Sequence, residues 1–249
     1  MISSGTFAKR DPSAPAGFFE AEAAGLRWLA EARDGVPVVR VLAVAPGELV
    51  LERLRPYPCG PASADALGRQ LAATHRCGAD CWGRSDGDGF IGPLTLANGP
   101  FSSWAEMWWA GRVEPFLHEA VDNGLLTAGD ARTVGVVVAR LAPDVPAIEP
   151  SRLHGDLWSG NVVWTAAGAV LIDGGAAHGG QREADLAMLA LFGLPHLQRV
   201  LAAYDEAWPM ESGWRERVAL FQLHPLLVHV VLFGASYVPQ LRATVARLG

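Results

Sequence analysis

The chain has 249 residues, of which 50% are hydrophobic and 18% are charged, and its formal net charge at pH 7 is −6. This length allows one large domain or two lobes around a substantial core, and the composition excludes an intrinsically disordered protein. Because the charge is acidic and no basic stripe occurs along the sequence, we expect no nucleic-acid partner.

The first 55 residues have the pattern of a small lobe. A strand-like run over residues 5–9 is followed by a helix over residues 18–33, in which apolar positions repeat at helical spacing. Two apolar segments, residues 36–44 and 48–54, then flank Pro46-Gly47, a residue pair that favours a type II turn. The sequence therefore predicts a strand, a helix and a β-hairpin.

Lys9 is the only lysine among the 20 basic residues of the chain, and all the others are arginines. Kinase-type folds need a compact, flexible ammonium at the end of such a strand, where it contacts the ATP phosphates and pairs with a glutamate on the next helix. Glu22 is the first choice for this partner and Glu20 the second. The alternative is an ordinary surface charge, the usual fate of a lysine. The uniqueness and placement of Lys9 favour the functional role.

A segment rich in proline and glycine, residues 56–61, divides the small lobe (residues 1–55) from the rest of the chain (residues 56–249). In a kinase, the strand exit at Glu52, Arg53 and Leu54 would be the hinge whose backbone groups hydrogen-bond adenine. Ser63 is the predicted N-cap of the first helix beyond the linker. The larger lobe is predicted to have a Gly- and Asp-rich loop over residues 78–102 and helices over residues 63–76, 104–117, 130–141, 182–192, 197–206, 214–221 and 225–233.

The most informative motif is His-Gly-Asp-Leu-Trp-Ser-Gly-Asn at residues 154–161, followed by Asp173-Gly174. Kinases of the protein-kinase type use H-x-D-x-x-x-x-N and then Asp-x-Gly. Asp156 and Asn161 stand the required five residues apart. A turn rich in Asp, Asn and Gly between two strands is the alternative. The two halves occur together, joined by a predicted hairpin of residues 161–165 and 169–172, and this favours a kinase-type site.

The most apolar segment, residues 218–238, is interrupted by polar residues, Pro225 and Gly234. It predicts a buried core helix bent at Pro225 rather than a membrane span. The first residues of the chain lack the basic start and apolar run of a signal peptide. We therefore expect a cytoplasmic monomer with no membrane partner.

With these motifs the chain resembles the fructosamine kinase (ketosamine-3-kinase) family, a branch of the aminoglycoside and choline kinase group. The resemblance extends from Lys9 to Tyr237. Its most specific segments are residues 154–161, Ile172-Asp173 and the Gly-Gln-Arg-Glu-Ala-Asp-Leu-Ala-Met run of residues 180–188. The resemblance implies an α+β fold of the protein-kinase-like type, with a shortened N-terminal sheet lobe and a mainly helical C-terminal lobe.

The resemblance also implies a role for each candidate site residue. Asp156 would accept the proton of the substrate hydroxyl. Asn161 and Asp173 would bind Mg²⁺, while Lys9 with Glu22 would orient ATP. The structural support of the catalytic loop would come from His154 and Asp185. Trp158 would face the phosphate acceptor and stack on a sugar or its amine substituent, with a packing role as the alternative.

The chain departs from the family pattern in two places. The family has two strands and a glycine-rich turn before the lysine strand, whereas this sequence begins eight residues before Lys9. Ser3-Ser4-Gly5 are the candidates for that cover, and a naturally short lobe and a start further upstream both remain open. In addition, Asp173-Gly174-Gly175 stands where the family usually has Asp-Pro-Ala, and we expect the glycines to loosen the turn that aims Asp173.

The function implied by the resemblance is an ATP- and Mg²⁺-dependent kinase for a sugar hydroxyl of a ketosamine, either a fructosamine or a ribulosamine, free or attached to a protein lysine. A kinase of another small amino-sugar or an aminoglycoside is the first alternative, and the acidic pair Asp86 and Asp88 is its hint. The second is a catalytically weak, kinase-like ligand-binding protein, motivated by the missing glycine-rich turn. The intact set of Lys9, Asp156, Asn161 and Asp173 argues against it.

Overall fold

The computed structural model describes residues 5–249, so Ser3 and Ser4, the candidates for the phosphate cover, lie outside the described residues. Small antiparallel sheets accompany a larger set of helices, which is the α+β architecture that the sequence predicts. The strands are β1 (Thr6–Arg10), β2 (Val41–Ala45), β3 (Glu48–Glu52), β4 (Gly89–Ile91), β5 (Leu94–Leu96), β6 (Ser151–Leu153), β7 (Val162–Thr165), β8 (Gly168–Leu171) and β9 (His178–Gly180). The helices are α1 (Phe18–Ala30), α2 (Pro61–Arg76), α3 (Trp104–Glu106), α4 (Glu114–Asp122), α5 (Ala128–Leu141), α6 (Glu183–Phe192), α7 (Leu197–Ala207), α8 (Trp214–Phe221), α9 (Leu223–Phe233) and α10 (Val238–Leu248).

The N-terminal sheet has the strand order β1-β3-β2, and both of its pairings are antiparallel. Lys9 lies opposite Leu49 in the register of β1 and β3. The turn between β2 and β3 is the predicted Pro46-Gly47 pair, and Gly47 has φ +74°, a value that glycine adopts without steric cost. Phe19 and Leu26 of α1 are buried against this sheet, which explains the apolar periodicity of that helix.

Helix α2 begins two residues before the predicted N-cap. Its N-cap is Gly60 and its first helical residue is Pro61, so the prediction of Ser63 as the cap is wrong. Proline suits the first helical position because its missing N–H would have no partner within the helix there. Helix α2 packs closely on α7, since a Cβ at Gly68 would lie 2.2 Å from the Val200 carbonyl oxygen.

The segment predicted as one long loop, residues 78–102, contains the hairpin of β4 and β5. Ile91 and Leu96 of this hairpin are buried in the core. Strands of three residues are too short to show alternation, so the prediction of an uninterrupted loop is wrong.

The main helical core contains Trp104, Met107 and Trp108, and all three are buried. The rings of Trp104 and Trp108 stack at 5.9 Å between centroids. The predicted helix extends to Asp122 and includes a π-helical stretch, Met107–Val113, between α3 and α4. A π-helix widens the turn, and this geometry leaves no mark in apolar periodicity.

The apolar C-terminal segment is divided into three helices, α8, α9 and α10, and the last of them was not predicted. The break lies at Gln222 rather than at Pro225. A proline at position 225 cannot donate a hydrogen bond to the Phe221 carbonyl, so the interruption falls one turn earlier. Within the described residues, one segment, Trp214–Leu248, is long and apolar enough to cross a membrane, and 56% of its apolar window is buried inside the protein. Packing in the core accounts for that composition.

Candidate active site

The hairpin of β7 and β8 brings the two halves of the kinase-like motif together. Val162 pairs with Leu171, so Asn161 and Ile172 flank the open end of the hairpin. The Ile172 amide donates to the Asn161 carbonyl at 3.1 Å. Asp156, Asn161 and Asp173 consequently line one cavity of about 290 Å³. The sequence spacing therefore corresponds to a spatial cluster of the three residues.

Asp156 and Asn161 are in direct contact within this cluster. The side-chain amide of Asn161 donates to the Asp156 carbonyl oxygen at 2.8 Å and to its carboxylate Oδ2 at 3.0 Å. Burial raises the pKa of Asp156 to about 6, against the opposing effects of His154 and of the Asn161 hydrogen bond. A carboxylate with a pKa close to neutrality can take up a proton during a reaction and release it afterwards.

Asp185, on α6, anchors the loop of residues 154–161 from the protein interior. Its carboxylate accepts hydrogen bonds from the backbone N–H of His154 at 2.8 Å and of Gly155 at 3.0 Å. His75 Nε2 on α2 donates to the same carboxylate at 3.2 Å, and the Tyr204 hydroxyl lies 2.9 Å from His75 Nδ1. Burial alone would raise the pKa of Asp185, but the His75 hydrogen bond and the neighbouring groups lower it. The buried carboxylate is therefore ionised and fully engaged.

His154 connects the loop to the strand that carries Asp173. Its Nε2–H donates to the Ile172 carbonyl at 2.7 Å, and its Nδ1 accepts from the Asp156 backbone N–H at 3.3 Å. The side chain itself is buried. His154 thus links the backbone at Asp156 to Ile172, the residue before Asp173.

Lys9 of β1 contacts two of the carboxylates that line this cavity. Its Nζ lies 2.7 Å from Glu22 Oε1 on α1 and also forms an ion pair with Asp173. Glu22 is buried, whereas Glu20, the second choice for the partner, is exposed. Burial alone would lower the pKa of Lys9, but the two carboxylates raise it above its usual value, so the ammonium stays charged. Burial raises the pKa of Glu22, against the pull of Lys9.

The two glycines after Asp173 allow three segments to meet. A Cβ at Gly174 would lie 2.7 Å from the Leu26 backbone nitrogen of α1, and a Cβ at Gly25 only 1.9 Å from the Gly174 carbonyl oxygen. A Cβ at Gly89 of β4 would lie 2.4 Å from the Gly175 carbonyl oxygen. The expectation of a loosened turn is therefore wrong, because the backbones of α1 and β4 pack closely against the turn and restrict it.

The donor set of the cluster fits Mg²⁺. The amide nitrogen of Asn161 is used by Asp156, which leaves the amide oxygen as the group available to a cation. Asp173 contributes a carboxylate and has the left-handed backbone conformation, with φ +60°. Such a conformation is uncommon outside glycine and points to a local constraint. Hard oxygen ligands of this kind are those that Mg²⁺ prefers alongside phosphate oxygens.

The predicted hinge residues do not line this cavity. The Glu52 carboxylate accepts from the Arg40 amide at 3.0 Å, and the Arg53 amide donates to the Gly5 carbonyl at 3.0 Å. Leu54 is partly buried against the core of the N-terminal sheet. The adenine contacts of these three residues stay a prediction, as does the division of the chain at residue 55.

Two aromatic residues of the cavity were missed from the sequence. Phe18 of α1 and Phe90 of β4 both line it, and their rings contact each other at 5.3 Å. The signal for Phe90 is its position in a short apolar run just before the Gly92-Pro93 turn. Phe18 is one of the apolar positions of its helix, and a helix pattern does not distinguish a core position from a cavity edge.

Trp158 also lines the cavity, and 40% of its side chain is exposed. A Cβ on Gly160 would lie 2.3 Å from the indole ring, so the ring rests on the Gly160 backbone. The ring contacts Phe192 edge to face at 6.2 Å. One part of the indole is therefore packed while the rest is open to a ligand.

Comparison with known proteins identifies related sequences and folds. The family model described as "Fructosamine kinase" matches residues 3–248. A Thermus thermophilus protein named "Probable ketoamine kinase" is 37% identical over 234 residues, which are 92% of this chain and 80% of that protein. A crystal structure of a Thermobifida fusca protein assigned as a fructosamine-3-kinase is 48% identical, with a TM-score of 0.93 over 98% of this chain and 85% of that one. A thermostable mutant of the aminoglycoside phosphotransferase APH(4)-Ia is 16% identical, with a TM-score of 0.61 over 99% of this chain and 88% of that one, and shows the protein-kinase-like fold alone.

Proposed function

The chain belongs to the fructosamine kinase family, and we propose that it transfers the γ-phosphate of ATP to a sugar hydroxyl of a ketosamine in a Mg²⁺-dependent reaction. The acceptor would be a fructosamine or ribulosamine, free or attached to a protein lysine. The relatives' names support the ketosamine, and the kinase family supports ATP. We further propose that the protein is a cytoplasmic monomer that acts without a nucleic acid or a membrane.

One observation carries this proposal. A single cavity is lined by Asp156, Asn161 and Asp173. Lys9, near the N-terminus of the chain, forms ion pairs with Asp173 and with buried Glu22. Phosphoryl transfer requires charge at fixed positions rather than a covalent protein intermediate. This set supplies a proton acceptor, two oxygen ligands for a cation and one ammonium for the phosphates.

In the proposed reaction, Asp156 accepts the proton of the acceptor hydroxyl as that oxygen forms a bond to the γ-phosphorus. The bond between the γ-phosphorus and the bridging oxygen to the β-phosphate breaks, and ADP leaves with that oxygen. When bound, Mg²⁺ neutralises the charge on the phosphate oxygens. Asn161 and Asp173 would hold it, and the Lys9 ammonium would contact the α- and β-phosphates.

The ion pair of Lys9 with Asp173 joins the proposed phosphate contact to one of the proposed cation ligands. A bound phosphate group would compete with Asp173 for the ammonium, and Asp173 would then be available to hold the cation. Glu22, which is buried and lies 2.7 Å from the Lys9 ammonium, would hold the ammonium beside the cavity during this exchange. Charge-assisted contacts of this kind retain their strength where water is scarce.

The two alternatives receive less support. Asp86 pairs with Arg84, and Asp88 accepts from the Asn98 amide at 3.0 Å, so both carboxylates are engaged away from the Asp156 cavity. An acidic floor for a polycationic aminoglycoside therefore has no second observation behind it. A protein that only binds a ligand has no need of a proton acceptor buried beside two cation ligands.

ATP consumption with a panel of acceptors tests the proposal. The purified protein is incubated with MgATP and a fructosamine, a ribulosamine or an aminoglycoside, and ADP release and ³¹P signals of the sugar product are followed. We expect turnover with a ketosamine and none in EDTA. Turnover with the aminoglycoside alone would indicate an aminoglycoside kinase instead. A lack of turnover with every acceptor would contradict the proposed kinase function.

A further inference from the structure

A continuous row of aromatic side chains leads away from the cavity. It consists of Trp158, Phe192, His229, Phe233 and Tyr237, and is called the aromatic row below. The centroid distances are 6.2 Å from Trp158 to Phe192, 4.7 Å from Phe192 to His229, 5.2 Å from His229 to Phe233 and 4.9 Å from His229 to Tyr237. Each ring thus contacts the next at the spacing of aromatic pairs.

The two ends of the aromatic row are exposed. Trp158 is 40% exposed within the cavity, and Phe233 is 59% exposed at the end of α9. Single exposed apolar residues are normal on a protein surface, but a connected set beside a cavity marks a binding surface. The row is such a set, because its first member also lines the cavity that contains Asp156.

The aromatic row is held in place by its surroundings. Trp158 rests on the Gly160 backbone, and a Cβ at Gly92, another residue of the cavity, would lie 3.2 Å from Leu232 of α9. The end of α9 therefore adjoins the cavity rim at a second point. Rings that are fixed before binding lose little conformational entropy when a ligand covers them.

The aromatic row is also uncharged at neutral pH. The Nδ1–H of His229 donates to the Pro225 carbonyl at 2.7 Å. Burial lowers the pKa of His229 below its usual value, so the imidazole is neutral. A neutral aromatic surface attracts apolar groups, and its ring faces attract an ammonium.

We propose that the aromatic row binds the amine-side substituent of the acceptor and makes the enzyme prefer ketosamines with a large apolar or aromatic substituent. This inference rests on the proposed ketosamine kinase function. The sugar hydroxyl must reach Asp156, and the secondary amine of the same molecule, a cation at neutral pH, then lies within reach of Trp158, two residues further along the loop. The substituent beyond the amine continues over Phe192 towards Phe233 and Tyr237.

The continuity of the row with the cavity is the argument for this occupant. A contact with another protein copy would need only Phe233 and its neighbours on the surface. Such a protein contact does not explain why the ring contacts continue without a break to Trp158, two residues after Asp156. A substituent attached to the reacting sugar uses the whole series.

Two synthetic ketosamines test the inference, 1-deoxy-1-methylamino-fructose and 1-deoxy-1-(6-phenylhexylamino)-fructose, whose hexyl linker lets the phenyl ring extend past Phe192 towards Phe233 and Tyr237. For each, kcat/KM is measured with MgATP in the wild type and in the variants Phe233→Ala and Tyr237→Ala. We expect the wild type to prefer the phenylhexyl compound by about tenfold, because its substituent covers rings of the row that the methyl group does not reach. Each variant should reduce that preference about fivefold, mainly through KM. Val136→Ala, which removes an exposed apolar side chain on α5, is the matched control and should leave the preference unchanged.

Calorimetric titration with the same two compounds separates this inference from the proposed function. If the wild type phosphorylates neither compound, the ketosamine kinase assignment fails, while the affinity ratio still decides the role of the row. Equal affinities for both compounds, or a ratio that Phe233→Ala and Tyr237→Ala leave unaltered, would overturn the inference. A ratio lowered as much by Val136→Ala would overturn it as well.

Discussion

The loop of residues 154–161 and the aromatic row border the same cavity but are held by different forces. In the loop, Asp185 and His154 are buried, and hydrogen bonds fix the backbone on either side of Asp156. In the row, ring contacts fix the side chains and both ends are exposed. Buried polar networks hold one geometry strictly, whereas exposed rings tolerate different partners. We therefore expect loop substitutions to impair turnover of every acceptor, and row substitutions to alter the choice among acceptors.

The largest effect is expected at the cation ligands, which lie on the loop side of this comparison. Asp173→Ala removes a carboxylate ligand and should abolish Mg²⁺-dependent nucleotide binding. Isothermal calorimetry with MgATP measures this directly. Asp86→Ala is the control, because Asp86 is an exposed carboxylate paired with Arg84. Unchanged MgATP binding in Asp173→Ala would show that the metal assignment is wrong.

A second prediction concerns the buried network beneath the loop. Asp185→Asn weakens the acceptor for the backbone N–H groups of His154 and Gly155 and for His75, so the free energy of unfolding should fall by about 2–4 kcal/mol. Urea denaturation followed by circular dichroism gives the value. Tyr204→Phe removes only the hydroxyl beside His75 and should cost about 1 kcal/mol. If the two variants were equally stable, Asp185 would not be the centre of the network.

A third prediction concerns the single lysine. Lys9→Arg should melt within about a degree or two of the wild type, because Arg retains the ion pair with Glu22. Its phosphoryl transfer should nevertheless fall at least about tenfold, or about 1.4 kcal/mol, because a rigid planar guanidinium does not replace a compact ammonium at a fixed depth. Arg10→Lys, one residue away and 56% exposed, is the matched control. Full activity in Lys9→Arg would contradict the proposed role of Lys9.

The smallest effect is expected far from both regions, at the ion pair of Asp130 with Arg242. The guanidinium Nε and Nη2 of Arg242 each donate to one Asp130 carboxylate oxygen at 2.8 Å. Hydrogen bonds from Arg242 and Thr127 lower the pKa of Asp130 well below its usual range. A carboxylate with a depressed folded pKa stabilises the protein above its unfolded pKa of about 4, and that contribution is lost as the pH falls through the folded value. Asp130→Asn should lower Tm by about 1–2 °C at pH 7. The difference should shrink below about pH 4, and a difference that grows in acid would contradict the assignment.

The sequence predicted the parts of the site that depend on local spacing. Asp156 and Asn161 face the same cavity because a short loop separates them, and Lys9 meets Glu22 because a strand is followed at once by a helix. Both relations are encoded within a few residues or one supersecondary unit. The candidate cluster is therefore recognisable from the amino-acid sequence alone.

The parts that were missed depend on contacts between distant segments. The hairpin of β4 and β5 has three-residue strands, which give no periodicity, and it places Phe90 against Phe18. The glycines at 174 and 175 were expected to loosen a turn, but they are needed for the close approach of α1 and β4. The aromatic row joins Trp158 to α9 across some 70 positions of sequence. No local pattern reports such tertiary contacts.

The central claim, that Asp156 is the proton acceptor of a Mg²⁺-dependent kinase, is tested most directly by kcat of Asp156→Asn with MgATP and a ketosamine. Asparagine keeps the size of the side chain and a carbonyl oxygen for the Asn161 amide, but it accepts no proton. We predict that folding and MgATP binding stay close to wild type, while kcat falls by roughly two to four orders of magnitude. A variant that is folded, binds MgATP and turns over at near wild-type rate would contradict the account.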